Sequence, residues 1–158
     1  MKNYTFKETI NYFAEKLGSI PPEEDVENKS VELELNGSLM VLEQGQEEGS
    51  LKICMDLGMF LVPPNQAELN KLASGNFLGI QTQGGSLCLD EEGLLLTLQA
   101  ITSSETSPQQ NWDCLQRFVS AAYFWSEELD KKENFSLLAQ LDKLEEPPLQ
   151  GQGKTLKV

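Results

Sequence analysis

Carboxylates are the one chemistry-bearing group that this chain holds in quantity. It has 25 Asp and Glu against 12 Lys and Arg, and no histidine. Without histidine, the familiar serine and cysteine triads lack their base, and imidazole acid–base chemistry is unavailable. Cys54, Cys88 and Cys114 are odd in number and widely spaced, with no CxxC pair. The usual zinc sets collapse on that pattern, so the thiols are expected to be reduced and packed in or near the core. The acids gather as Glu23-Glu24-Asp25, Glu47-Glu48 and Asp90-Glu91-Glu92, all in predicted loops, where a solvated charge run is the expected role. A catalytic acid needs an apolar setting on an ordered element. Glu32, Glu34 and Asp56 are the strand carboxylates that could have one, and their pattern turns them toward water. Gly84-Gly85 lacks a following Lys-Ser/Thr and opens no helix, and no GxGxxG occurs, so there is no phosphate loop. No cofactor and no metal are expected.

The elements that would position these groups form one unit. A chain of 158 residues supports a single domain with one sizeable core. The net charge of -13 repels phosphate backbones and anionic lipid, which disfavours nucleic-acid and membrane-surface partners. No apolar run is long enough to cross a bilayer. The first residues mix polar and apolar types, without the continuous apolar stretch of a secretory signal, so a cytoplasmic location is expected.

Phe6, Ile10, Phe13 and Leu17 recur at helical spacing, and Gly18 and Ile20-Pro21-Pro22 stop the helix. Residues 21–30 are acidic and contain proline, which predicts a linker loop. Val31, Leu33 and Leu35 alternate with Glu32 and Glu34 as in a half-buried strand, and Asn36-Gly37 supplies a two-residue turn. That turn fixes a register: Leu35 opposite Ser38, Leu33 opposite Met40, Val31 opposite Leu42, with Glu34–Leu39 and Glu32–Val41 on the other face. The second strand is therefore apolar on both faces. Leu51, Ile53, Met55 and Leu57 mark a third strand.

After Pro63-Pro64, Asn65 and Glu68 have capping-box spacing before a short helix with Leu69 and Leu72, ending near Gly75. Phe77, Leu78 and Ile80 predict an extended piece. A four-residue turn at Asp90–Gly93 sets Leu89 opposite Leu94 and Leu87 opposite Leu96, a second hairpin. Ser107, Pro108 and Gln110 open a long helix with Trp112, Leu115, Phe118, Ala122, Trp125 and Leu129 on one stripe. Phe135, Leu138, Leu141 and Leu144 continue an apolar pattern until Pro147-Pro148. The expected fold class is α+β: a twisted antiparallel sheet flanked by helices, in the order helix, three strands, short helix, three strands, long helix. The domain is expected over residues 1–145, with a flexible tail over 146–158.

Apolar residues are more informative than the acids. The first helix offers Phe6, Ile10 and Phe13, and the second strand offers Leu39 and Val41. They either cover the sheet or leave a groove open for another chain. Leu69, Leu72, Phe77, Leu78 and Ile80 are many large residues for one short helix and one strand. They are either core or a self-complementary seam.

The run LASGNFLGIQTQGGSLCLDEEGLLLTLQ, residues 72–99, resembles the central signature of the class I type III secretion chaperones, the Tir chaperone family. Asn76-Phe77-Leu78-Gly79, Gly84-Gly85, Leu87-Cys88-Leu89-Asp90 and Gly93 occupy its places, and LQRFVSAAYFWSEEL, residues 115–129, is similar to the family's final helix. The resemblance covers most of residues 1–133. Two departures stand out: the Gly-Gly turn is one residue longer, and residues 134–158 extend past the usual end.

The resemblance implies a cytoplasmic bacterial homodimer without enzymatic activity. Such a protein binds the N-terminal region of one or more effectors in extended form and keeps them stable and export-competent. It implies Leu69, Leu72, Phe77, Leu78 and Ile80 at the dimer seam, and Phe6, Ile10, Phe13, Leu39 and Val41 bordering the effector groove. The secretion-apparatus ATPase is a further implied partner, since release needs a motor that this chain lacks. Two readings of other classes stand beside it. One is an acidic inhibitor or immunity-type protein whose binding fades steeply with salt. The other is a small dimeric α+β enzyme, thioesterase-like, working with a carboxylate.

Overall fold

The structure, a computed structural model, describes residues 4–19, 23–35 and 38–137. The Ile20-Pro21-Pro22 stop, the Asn36-Gly37 turn, the apolar pattern from Leu138 onward and the 145/146 boundary lie outside the described residues. Four α-helices and six strands are described: α1 (Phe6–Leu17), α2 (Glu23–Glu27), β1 (Ser30–Leu35), β2 (Ser38–Gln44), β3 (Leu51–Phe60), α3 (Gln66–Asn76), β4 (Ser86–Leu89), β5 (Leu95–Ile101), α4 (Pro108–Asp130) and β6 (Phe135–Leu137). The sheet is antiparallel, ordered β1-β2-β3-β5-β4, and β6 pairs with the far end of β3. This is the expected α+β architecture.

Local chemistry sets the helix starts. The Thr5, Asn65 and Ser107 side chains each accept the N–H three residues on, and the Glu8, Glu68 and Gln110 side chains answer the cap backbone. Gly18 ends α1 in the left-handed region at φ 69°. The β1–β2 register is as expected, with Leu33 opposite Met40 and Glu32 opposite Val41.

One core holds the fold. Met40, Leu42, Ile53, Met55, Leu96 and Leu98 point inward from the strands, and Phe6, Ile10, Phe13, Leu72, Leu115, Phe118, Trp125 and Leu129 meet them from the helices. Phe13 packs edge-on to Trp112 at 5.4 Å. The buried apolar side chains of α1, α3 and α4 all join this cluster, so these helices lie on one face of the sheet.

Four expectations need correction. Residues 21–30 are not all loop, because α2 forms there and Val26 packs onto the core. Phe77, Leu78 and Ile80 do not extend; Phe77–Gly79 is a 3-10 turn. The second hairpin pairs Leu87 with Leu98 and Leu89 with Leu96, two residues off the four-residue turn. Asp90 causes the shift, since its carboxylate accepts the N–H of both Leu94 and Leu95 at 2.8 and 3.1 Å. The sixth strand follows the long helix instead of preceding it. Phe135 enters β6 and stacks edge-on with Phe60 at 5.0 Å, beside Gly58, where a Cβ would strike the Phe135 ring.

Candidate functional site: an uncovered sheet face and an apolar tip

Among the described residues, no helix covers the other face of the sheet. Register places Glu34 beside Leu39 and Glu32 beside Val41, with Cys54 on the other side of Val41, and Gln99 and Thr97 follow on β5. Leu39 is 44% exposed and Val41 is half-buried. Lys52 and Glu43, directly opposite each other, form an ion pair at 3.0 Å. Asp56 is half-buried, and burial raises its carboxyl above the ordinary range. Burial, with Asp56 nearby, likewise raises the Cys54 thiol, which keeps it protonated and a poor nucleophile.

Of the five residues expected to border a groove, Leu39 and Val41 present surface. Phe6, Ile10 and Phe13 are 2–3% exposed and belong to the core, because α1 spends its apolar stripe covering the inner face. They hold the sheet from behind.

The second surface is the tip after α3. Its base is fixed in the body. Gly75 is buried against the Trp125 ring, where a side chain would collide. The Asn76 amide clamps Leu87: the Leu87 N–H donates to Oδ1 at 2.7 Å, and Nδ2 donates to the Leu87 carbonyl at 2.9 Å. Leu87 pairs with β5 on its other side, so Asn76 stands where a further strand would go and closes this edge. The Trp125 indole N–H donates to the Gln81 carbonyl at 3.1 Å, and the buried Thr82 hydroxyl donates to Gly85 at 2.6 Å.

Between these anchors Leu78 sits at φ 56°, a left-handed conformation rarely taken by a branched residue. Phe77, Leu78 and Ile80 are 70%, 77% and 66% exposed. Leu69 is also exposed, whereas Leu72 lies beneath in the core. Phe124, nearly half exposed, lines a cleft with Gln81, Gln83, Ser120 and Ala121 beside the tip. Phe124 lies off the α4 stripe of Trp112, Leu115, Phe118, Ala122, Trp125 and Leu129, and sequence reasoning gave it no role. Its only signal was a large aromatic off the buried spacing.

The acids form no reaction centre. Glu32 and Glu34 are exposed, and Asp56, the most desolvated of the three, lies on the open sheet face. Glu128 is held down at about 2 by Lys131 and Lys71, a surface ion network. No group of His, Cys, Asp or Glu able to hold a metal occurs among the described residues, and no described helix is long and apolar enough to cross a membrane.

The described residues thus close one core and leave a sheet face without helices and an exposed apolar tip. Residues 8–126 match the Tir chaperone protein (CesT) family, and the chain belongs to that family of chaperones. Among solved structures, it matches a chain of the ExsC–ExsE complex at TM-score 0.58 and 18% identity, covering 77% of this chain and 90% of that one. A chain of the complex between the Yersinia pestis type III secretion chaperone SycH and a stable fragment of YscM2 matches at TM-score 0.56 and 19% identity, with 76% and 98% covered. A chain of the heterodimeric ExoU–SpcU complex from the type III secretion system of Pseudomonas aeruginosa matches at 0.57 and 21%, with 76% and 93% covered. These likenesses establish a shared fold. No curated protein matches the sequence.

Proposed function

We propose that this protein is a cytoplasmic type III secretion chaperone that acts as a homodimer and binds the N-terminal region of an effector in extended form. The observation that carries the reading is that the described residues close one core yet leave uncovered an apolar tip and a sheet face bearing Leu39 and Val41. Membership of the Tir chaperone family supports it, and so do fold relatives solved as complexes of a type III secretion chaperone or system component with a partner.

The tip suits the seam between two copies. Leu69, Phe77, Leu78, Ile80 and Phe124 are exposed on a base already ordered by Asn76, Trp125 and Thr82, so little entropy is lost on pairing. Leu72 supports the seam from beneath. The open face, with Leu39 and Val41, suits apolar anchors of an unfolded client, and Phe6, Ile10 and Phe13 stiffen the sheet behind them. A client strand that added to the sheet would favour the β1 edge, since Asn76 closes the β4 edge at Leu87. Two such faces on one dimer act together through effective concentration, so each contact can be weak. Nothing in this scheme needs catalysis by the chaperone. The secretion ATPase would supply release.

Native mass spectrometry of the protein purified gently from its own cells tests the reading. Two copies plus one larger protein, trimmed by protease to that protein's N-terminal region, is the expected mass. A lone monomer, or a one-to-one complex with an intact folded partner, overturns it. The triple change Phe77→Ser, Leu78→Ser, Ile80→Ser should leave a folded monomer.

A further inference from the structure

We propose that the open sheet face selects an extended client segment in which Lys or Arg accompanies the apolar anchors, the cation seating on Asp56. The proposal rests on the chaperone reading and names the chemistry of the chain that this face takes.

The charge inventory of the face is one-sided. By register, the charged residues there are Glu32 and Glu34 on β1, Glu43 on β2, and Lys52 and Asp56 on β3. Lys52 is committed to Glu43 at 3.0 Å. Glu32, Glu34 and Asp56 are left with no cation on that face among the described residues. The register interleaves them with the apolar positions. Leu39 lies beside Glu34, and Asp56 follows Cys54 two residues on along the same face of β3. One row along, Val41 lies between Glu32 and Cys54.

Directly paired residues on one face have Cβ atoms about 5 Å apart. A client strand laid over Leu39 and Val41 therefore meets Glu34 and Glu32 on one side and the β3 row of Cys54 and Asp56 on the other. Burial already raises the Asp56 carboxyl, and a client laid over it removes the remaining water. A neutral apolar segment leaves that carboxylate without a partner, and an acidic one adds repulsion. A Lys or Arg restores a charge-assisted hydrogen bond, while its aliphatic stem packs along the face. The apolar contacts supply most of the affinity, and the acids set which segments are accepted.

The test uses three labelled peptides of one length, with Leu, Val and Ile at alternate positions and Lys, Gln or Glu between them. Binding is read by fluorescence anisotropy at about 150 mM salt, where exposed charges are screened beyond about 8 Å. The Lys peptide should bind about tenfold tighter than the Gln peptide, and the Glu peptide weakest. The double change Asp56→Asn, Glu34→Gln should bring Lys and Gln peptides within about twofold of each other. Glu91→Gln, Glu92→Gln removes the same charge from the exposed β4–β5 turn and should keep the preference. Equal binding of the Lys and Gln peptides overturns the selection and leaves the chaperone reading standing. A preference erased equally by the turn variant overturns it too, as a general effect of net charge. Binding of none of the three overturns both.

Discussion

Leu39 and Met40 are neighbours in β2 and live in different worlds. Met40 is fully buried under the helices, while Leu39 is 44% exposed on the opposite face. The same contrast runs through β3, where Ile53 and Met55 are buried and Cys54 and Asp56 are only half so. The buried apolar residues of α1, α3 and α4 all pack onto one side. The buried apolar residues of the described chain are concentrated there, and the other side keeps half-buried and exposed ones. On the proposed reading, such a surface can keep apolar residues and acids suited to a partner.

Substitutions can break that comparison. Trp125→Ala should lose about 3–5 kcal/mol, because the ring fills the core against Gly75 and Leu87. Leu39→Ala should cost under about 1 kcal/mol in the same urea titration. A comparable loss at both positions would mean that the outer face is core after all. Asn76→Ala should cost about 1–3 kcal/mol, since it strips both hydrogen bonds from one side of Leu87. It should also free the β4 edge, seen as faster amide exchange at Leu87. Ser107→Ala removes one half of a capping box and should cost about 1 kcal/mol, read by thermal unfolding.

The smallest effect sharpens the comparison by pH. Asp56 has a carboxyl raised in the folded chain, so the folded state holds its proton more tightly than the unfolded state does. Its contribution is therefore most favourable below the ordinary value of 3.8 and is lost as pH rises through the raised value. Above that window Asp56→Asn should be neutral or slightly stabilising, and a pH series of urea midpoints should be flatter for the variant. A destabilised variant at neutral pH would mean that Asp56 serves the fold, and the face would lose its claim to be a binding surface.

Much of this was legible because local chemistry decides it. The spacing of Phe6, Ile10 and Phe13, the capping pairs Asn65–Glu68 and Ser107–Gln110, and the β1–β2 register all follow from residues within a few positions of one another. The site was harder to read. Leu69, Leu72, Phe77, Leu78 and Ile80 look alike as letters, yet Leu72 is core and the other four are exposed. The tip reads as a strand because large apolar residues favour one. It turns instead because Asn76 and Gln81 are held by Leu87 and Trp125.

The sequence by itself determined the α+β composition, the helix starts, the first hairpin and the lack of a histidine-based reaction centre. Each depends on residue type or on near neighbours along the chain. The tertiary structure alone decided which apolar residues were left over. It put α1 on the inner face, so that Phe6, Ile10 and Phe13 became core while Leu39 and Val41 stayed open. It also brought Phe135 back to Gly58 and set Trp125 against the tip. Burial is a property of the packed whole, and a leucine carries no mark of which side of a sheet the helices will take.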